Sequence, residues 1–313
     1  MNFAEDLTNG TSYSGTILGP YYEKLEDYKD PIFDDDGVLL IDFSKRKERG
    51  IKGIHYFPIS ITQFALRSHD LYLETKDKMY FKRFIDQCNW LVRSQVNDGK
   101  VQGVWFFNVG IGSFIKPPWI SAMAQGQAIS ALLRAFIHTG NIVYLNTATK
   151  ALTSFNILIQ DGGVKHANKH GNIFYEEYPT TPPNHVLNGF IYSLLGIYDH
   201  YRVTKSKLSF ELFTKGIDTL VRTIPNYDTG FWSKYSLSKK SNVGNHFNLA
   251  SPVYHNIHIN QLKILYRITQ EKIFDYYAKK WQRYQQGPFG FLMAFVYTIF
   301  LNVVKVVKKL DLV

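Results

Sequence analysis

Glu176, Glu177 and Tyr178 stand side by side directly before a proline-rich bend, in "EEYPTTPPNHVLNGF" (176–190). Two further segments bring similar chemistry. "NYDTGFWSKYSL" carries Tyr227, Asp228 and Tyr235, and "SPVYHNIHINQL" carries Tyr254, His255 and His258. Taken singly, each side chain has an ordinary use: Tyr178 packs the bend, Asp228 caps the "DTG" turn, and His258 is a satisfied residue in a first helical turn. Taken together they suit removal of a proton from a carbon beside a carboxylate. That reaction needs a base, an acid on the opposite face, and cationic help for the enediolate. A tyrosine serves as acid or base when positive surroundings lower its pKa from about 10. A carboxylate such as Glu177 serves as base when burial raises its own.

Other chemistries lack their motifs. No HExxH is present, and no carboxylate adjoins His255 and His258 in sequence, so no metal is expected. There is no nucleophile elbow, GxGxxG or P-loop, and no cofactor is expected. Cys88 is the single cysteine, so no disulfide forms within the chain.

These side chains must be carried by something, and the elements read as helix after helix. Apolar periodicity predicts helices over 59–75, 78–97, 119–138, 141–160, 184–201, 207–224, 256–270 and 271–285. Very short loops ("TGN", "QEK") alternate with long ones at 98–118, 161–183 and 225–255. Four hairpins with their long loops at one end describe an all-α fold of the α/α toroid type, with two rings of helices around a funnel. "WISAMAQGQAISALLRAF" has the small residues of an inner helix. Residues 1–50, acidic and turn-rich with a strand at Val38–Phe43, read as an arm on the body; residues 51–286 form the toroid; 287–313 form a hydrophobic and basic C-terminal helix.

The chain of 313 residues is long enough for a sizeable core, and 21 Tyr, 23 Phe and 5 Trp are an aromatic surplus. Ring faces of this kind stack on sugar rings, although an aromatic-rich core uses them equally well. The net charge of +10 is uneven: residues 1–50 hold 11 acidic and 6 basic side chains, leaving +15 for the rest. A basic body favours anionic partners. Without a helix-turn-helix, RNP or zinc-finger signature, nucleic acid is not the expected one.

Phe289–Val304 contains no charged residue and is followed by Lys305, Lys308 and Lys309. At 16 residues it is shorter than the roughly 20 needed to span a bilayer. Either it lies on a membrane as an interfacial helix or it packs as a last core helix. With no basic and apolar leader at residues 1–15, a C-terminal anchor fits the cytoplasmic face of a membrane. A chain trimmed of its native N-terminus, belonging to the Golgi lumen, would look the same. A homodimer is compatible with the sequence without being signalled by it.

Four of these stretches carry a resemblance. "PPWISAMAQGQAISALLRAF" (117–136), "EEYPTTPPNHVLNGFIYSLLGIYDHY" (176–201), "YDTGFWSKYSL" (227–237) and "YHNIHINQLKILY" (254–266) resemble the C-terminal domain of the D-glucuronyl C5-epimerases of heparan sulfate and heparosan. The resemblance covers roughly residues 35–286. It implies an α/α toroid that converts D-glucuronate to L-iduronate within an anionic polymer by moving the C5 proton, without a cofactor. It assigns acid–base roles to Tyr178, Tyr235, Tyr254 and Glu177, with Glu177 paired against Tyr254 across the sugar ring. Asn188, His258, Lys239, Trp119 and Gln125 become substrate contacts. The chain departs from the family's "YDLR" pattern: Ser238 stands where the arginine is expected, with Lys239 and Lys240 beside it. Lysine offers charge but no bidentate fork. A lyase starting from the same C5 proton, and a membrane-tethered glycan-binding protein, are the competing readings.

Overall fold

A computed structural model describes residues 18–45, 51–111, 114–238 and 248–288, together with Gly290, Leu292, Val296 and Ile299. The described chain is mostly helical. The described residues include eight α-helices: α1 (Pro58–Thr75), α2 (Lys78–Ser94), α3 (Ala122–Thr139), α4 (Ile142–Ala151), α5 (Leu187–Thr204), α6 (Lys207–Thr223), α7 (Pro252–Thr269) and α8 (Lys272–Gln286). Five short strands accompany them: β1 (Ile32–Phe33), β2 (Leu39–Asp42), β3 (Ile54–His55), β4 (Lys165–Ala167) and β5 (Ile173–Tyr175). The first three form an antiparallel sheet in the order β1-β2-β3, and β4 and β5 form a hairpin. The described residues divide into two compact units, a larger one up to Leu220 and a smaller one from Val221 onward.

Each of the eight helices predicted between 59 and 285 exists, and the differences lie at the ends, where caps decide. Asp77, Ser121, Asn141 and Ser251 accept a first-turn backbone N–H and start α2, α3, α4 and α7. Lys76, Gly140, Lys205 and Gln270 adopt the left-handed conformation and stop α1, α3, α5 and α7. The predicted helix 141–160 ends at Ala151, after which the chain tightens to a 3₁₀ turn at Leu152–Asn156. There the Ala151 carbonyl is taken by Ser154 Oγ (3.0 Å) and Gln125 Nε2 (3.4 Å).

In the larger unit alternate helices pack on one another: α1 against α3, and α3 against α5. Helices α2 and α4 lie against these from outside. Burial follows the same division. Nearly the whole of α3 and α5 is buried, whereas α2 buries only the stripe of Phe84, Gln87, Cys88, Trp90 and Leu91. The α3–α5 contact is backbone on backbone. A Cβ on Gly126 would lie 2.9 Å from the Ser193 carbonyl oxygen, and one on Gly196 would lie 2.6 Å from Gly126 Cα. Neither neighbour is a side chain that can swing away. Gly196→Ala is therefore expected to destabilise the protein by about 3 kcal/mol through overpacking, read as a lower urea midpoint at unchanged slope.

The N-terminal arm is tied into this unit by hydrogen bonds. Tyr22 Oη donates to Asp199 (2.7 Å), the Gly19 carbonyl accepts from Arg134, and Tyr21 N donates to Asp70 Oδ1 at 2.8 Å. Burial raises the Asp70 carboxyl to about 7, against the opposing pull of the Tyr21 N–H, Arg134 and Arg67. An acid whose folded pKa lies above its unfolded value holds its proton more tightly when folded. Its contribution is complete below the unfolded pKa of about 4 and is lost as pH rises toward 7. The stability curve should thus fall across pH 5–7 with a slope of at most about 1.4 kcal/mol per pH unit. Asp70→Asn, which keeps an acceptor for Tyr21, should flatten it in urea melts.

Among the described residues no helix is long and apolar enough to cross a membrane. Most of the C-terminal stretch 289–304, and Lys305, Lys308 and Lys309, lie outside the described residues. Leu292, Val296 and Ile299 are helical and exposed.

Candidate active site

The larger unit holds Glu176, Glu177 and Tyr178 at the end of the β4–β5 hairpin. The ladder continues one step past the strands, with Glu176 N donating to the Val164 carbonyl at 2.8 Å. The Glu176 carbonyl then accepts from Ala122 N, which fastens the segment to the start of α3. Alternation along an extended chain separates the two glutamates. The Glu176 side chain turns into its own loop: Oε2 accepts from the backbone N of Asn184 (3.3 Å) and His185 (3.0 Å). That closes a bend containing the cis Thr181–Pro182 bond. Glu176 is thus a loop fastener.

Glu177 is buried and lies against the first turn of α5. Only a glycine fits opposite it: a Cβ on Gly189 would stand 2.7 Å from Glu177 Cβ and 2.9 Å from its carboxylate carbon. Asn188, the preceding residue, is buried in the same turn. Tyr178 is 8% exposed and wedged between Phe114 (ring centroids 5.4 Å apart) and Trp119 (5.7 Å). Trp119 stacks flat on Phe107 at 4.1 Å and donates its indole N–H to the Val109 carbonyl. Trp119 therefore supports the Tyr178 ring from a fixed position.

Gln125, expected as a substrate contact, is bonded within the fold. It is fully buried, its Oε1 accepts from Trp105 N (3.1 Å), and its Nε2 reaches the Gly103 carbonyl (3.0 Å), the Ala151 carbonyl and Ser154 Oγ. Those bonds join α3 to the loop before it and the turn after α4. A glutamine among alanines and glycines gives no sign in sequence of which way its amide is used.

The smaller unit holds Tyr235 and Tyr254 as a pair, their rings edge to face with centroids 4.9 Å apart. Tyr254 is 37% exposed and Tyr235 9%. Tyr254 sits in the first turn of α7, whose cap Ser251 accepts its backbone N–H. Tyr235 is held by its own N–H bonding the Asn248 carbonyl at 2.6 Å. Neighbouring residues in sequence, Ser233, His255 and His258, form a polar cluster. Ser233 Oγ is 2.8 Å from His255 Nδ1 and 3.0 Å from His258 Nδ1, and His255 Nε2 meets the Trp281 carbonyl. Trp232 stacks on His255 at 3.7 Å. Burial lowers His255 to about 4 and holds His258 well below its ordinary value, so both rings are neutral. His258 is fully buried and anchors Ser233. Asp228 takes its bland role: Oδ1 accepts from Gly230 N and Trp281 Nε1, and Oδ2 pairs with Lys280. Tyr227 is fully buried. Lys239 lies outside the described residues.

The molecule is thus a mostly helical, hairpin-built protein. One of its units presents a buried glutamate beside a packed tyrosine, and the other a tyrosine pair and a neutral histidine cluster. The chain belongs to the family described as D-glucuronyl C5-epimerase C-terminus, which matches residues 95–283. It is 34% identical over 301 residues to the D-glucuronyl C5-epimerase of Caenorhabditis elegans, covering 88% of this chain and 47% of that protein. It is 27% identical over 247 residues to an uncharacterized protein of Methanocaldococcus jannaschii, covering 74% of this chain and 78% of that one. The chain therefore spans about half the length of the nematode enzyme.

Proposed function

We propose that this chain is an isomerase that epimerises D-glucuronate residues at C5, within an anionic polysaccharide, by removing the C5 proton and returning one to the opposite face. The observation that carries the reading is the state of Glu177. A carboxylate is kept buried beside a packed tyrosine, on a loop fastened by a different glutamate, in a chain of the epimerase family. Glu177, Tyr178, Tyr235 and Tyr254 handle the protons. Asn188 and the lysines at 239 and 240 meet the uronate, with charge to stabilise the enediolate. Alternate packing of α1, α3 and α5, with α2 and α4 outside, supports an α/α toroid as the architecture. For the basic C-terminal stretch, composition supports an interfacial helix on an anionic membrane.

The test is incubation of the protein with unsulfated heparosan in deuterium oxide, followed by NMR of the polymer. Deuterium at C5 with new iduronate signals is the expected result. An unsaturated, ultraviolet-absorbing product would make the chain a lyase. No exchange on heparosan or other uronate polymers would leave a glycan-binding protein, with Ser238 in place of the expected arginine as the reason.

A further inference from the structure

Outside the groups assigned to proton transfer, one cluster stands out. His166, Glu176 and His185 each offer a donor atom, and the three atoms lie within 4.8 Å of one another. Strand pairing builds the cluster. His166 on β4 faces Phe174 on β5, and Glu176 lies two residues beyond Phe174, so the pleat puts all three side chains on one face. The third member comes from the loop. His185 stacks on Phe174 with centroids 3.8 Å apart and stands 5.0 Å from the His166 ring. Its backbone is held left-handed, at φ 52°, by the two N–H bonds to Glu176 Oε2, a conformation a non-glycine residue keeps only when its surroundings enforce it.

The hydrogen bonding points the same way. Glu176 is wholly buried, and its Oε1 is hydrogen-bonded to His185 Nδ1 at 2.5 Å. His166 Nδ1 is buried, and it has no hydrogen-bond partner among the described residues.

We propose that His166, Glu176 and His185 bind a divalent transition-metal ion of the zinc class. Two imidazoles and one carboxylate are a common donor set for zinc, and they leave a fourth position for solvent. Donor atoms no more than 4.8 Å apart can all sit about 2.8 Å from a common centre, and side-chain rotation closes that to the ~2.1 Å of a metal bond. A metal on His185 Nδ1 takes the place of that atom's hydrogen bond to Glu176 Oε1. Bound there, it ties the β4–β5 hairpin to the bend that follows Tyr178. No HExxH-like spacing marks the site, since its members are ten and nine residues apart and meet only through the hairpin and the loop.

The proposal does not depend on the epimerase reading, and its test uses no substrate. Untagged protein is stripped with EDTA, then dialysed against zinc(II) or cobalt(II) and assayed for bound metal. One retained equivalent per chain is expected, with a visible d–d absorption for the cobalt form and a higher Tm with zinc. His166→Leu removes one ligand but leaves the Glu176–His185 fastening intact. It should bind at least tenfold more weakly at unchanged far-ultraviolet circular dichroism. His185→Gln should weaken binding likewise. No retained equivalent, or retention equal in wild type and His166→Leu, overturns the site.

Discussion

Glu177→Gln is expected to lower C5 deuterium exchange on heparosan by about 10²–10⁴-fold, the range for loss of a positioned acid or base. Glutamine has the same shape and can still accept a hydrogen bond, but it cannot take a proton from carbon. The Tm should stay close to that of the wild type, because glutamine keeps the shape of Glu177 and Glu176 still fastens the loop through Asn184 and His185. A second variant separates chemistry from mere presence of the carboxylate. Gly189→Ala keeps Glu177 yet places a methyl 2.7 Å from its Cβ and 2.9 Å from its carboxylate carbon, so the side chain must move. Displacement by about 1 Å costs on the order of 10²-fold when geometry governs the rate. Both losses should appear in kcat more than in KM. If Glu177→Gln keeps a tenth or more of wild-type exchange, Glu177 is not the base.

Much of this arrangement was legible in advance, and the parts that were not share a cause. The helices follow from apolar periodicity and the caps from local side chains. Ser251–Pro252 marks the start of α7 in sequence, four residues before the expected 256, because serine caps and proline opens a helix. Trp119 and Ile120 precede their helix instead of opening it, since Trp119 pairs in extended form with Phe107 before the Ser121 cap. What local pattern cannot carry is partnership across the fold. Gln125 shows its role only once Gly103, Ala151 and Ser154 are seen around it. The two glutamates of "EEY" look equivalent in sequence, and only the strand pairing and the returning bend at 184–185 give them different work. His166 belongs with Glu176 and His185 because β4 and β5 are in register, a relation that no spacing along the chain displays.

Arg134→Met is expected to destabilise the protein by about 3–5 kcal/mol, the usual cost of leaving one partner of a buried ion pair alone. Arg134 in α3 and Asp199 in α5 are 1% and 0% exposed, and Nη1 meets Oδ2 at 2.7 Å. The aspartate also accepts from Ser130 Oγ and Tyr22 Oη, each at 2.7 Å, so its charge is spread over three donors. Asp199 raises the Arg134 pKa although burial opposes it. Methionine fills the space of the arginine stem but returns no charge, and it also releases the Gly19 and Ser130 carbonyls. Arg134→Lys should recover little, because one ammonium cannot bond Asp199 and Gly19 from a single planar fork. The double change Arg134→Met with Asp199→Leu removes both charges. If the pair serves specificity rather than net stability, the double variant should be more stable than Arg134→Met by more than about 1 kcal/mol, within the range for replaced buried pairs. The cross-link also joins the N-terminal arm to the two most deeply buried helices of its unit. Arg134→Met should therefore raise amide exchange at Gly19–Tyr22 before the helices themselves open, and equal protection in both proteins would show that the arm is held by its apolar contacts alone.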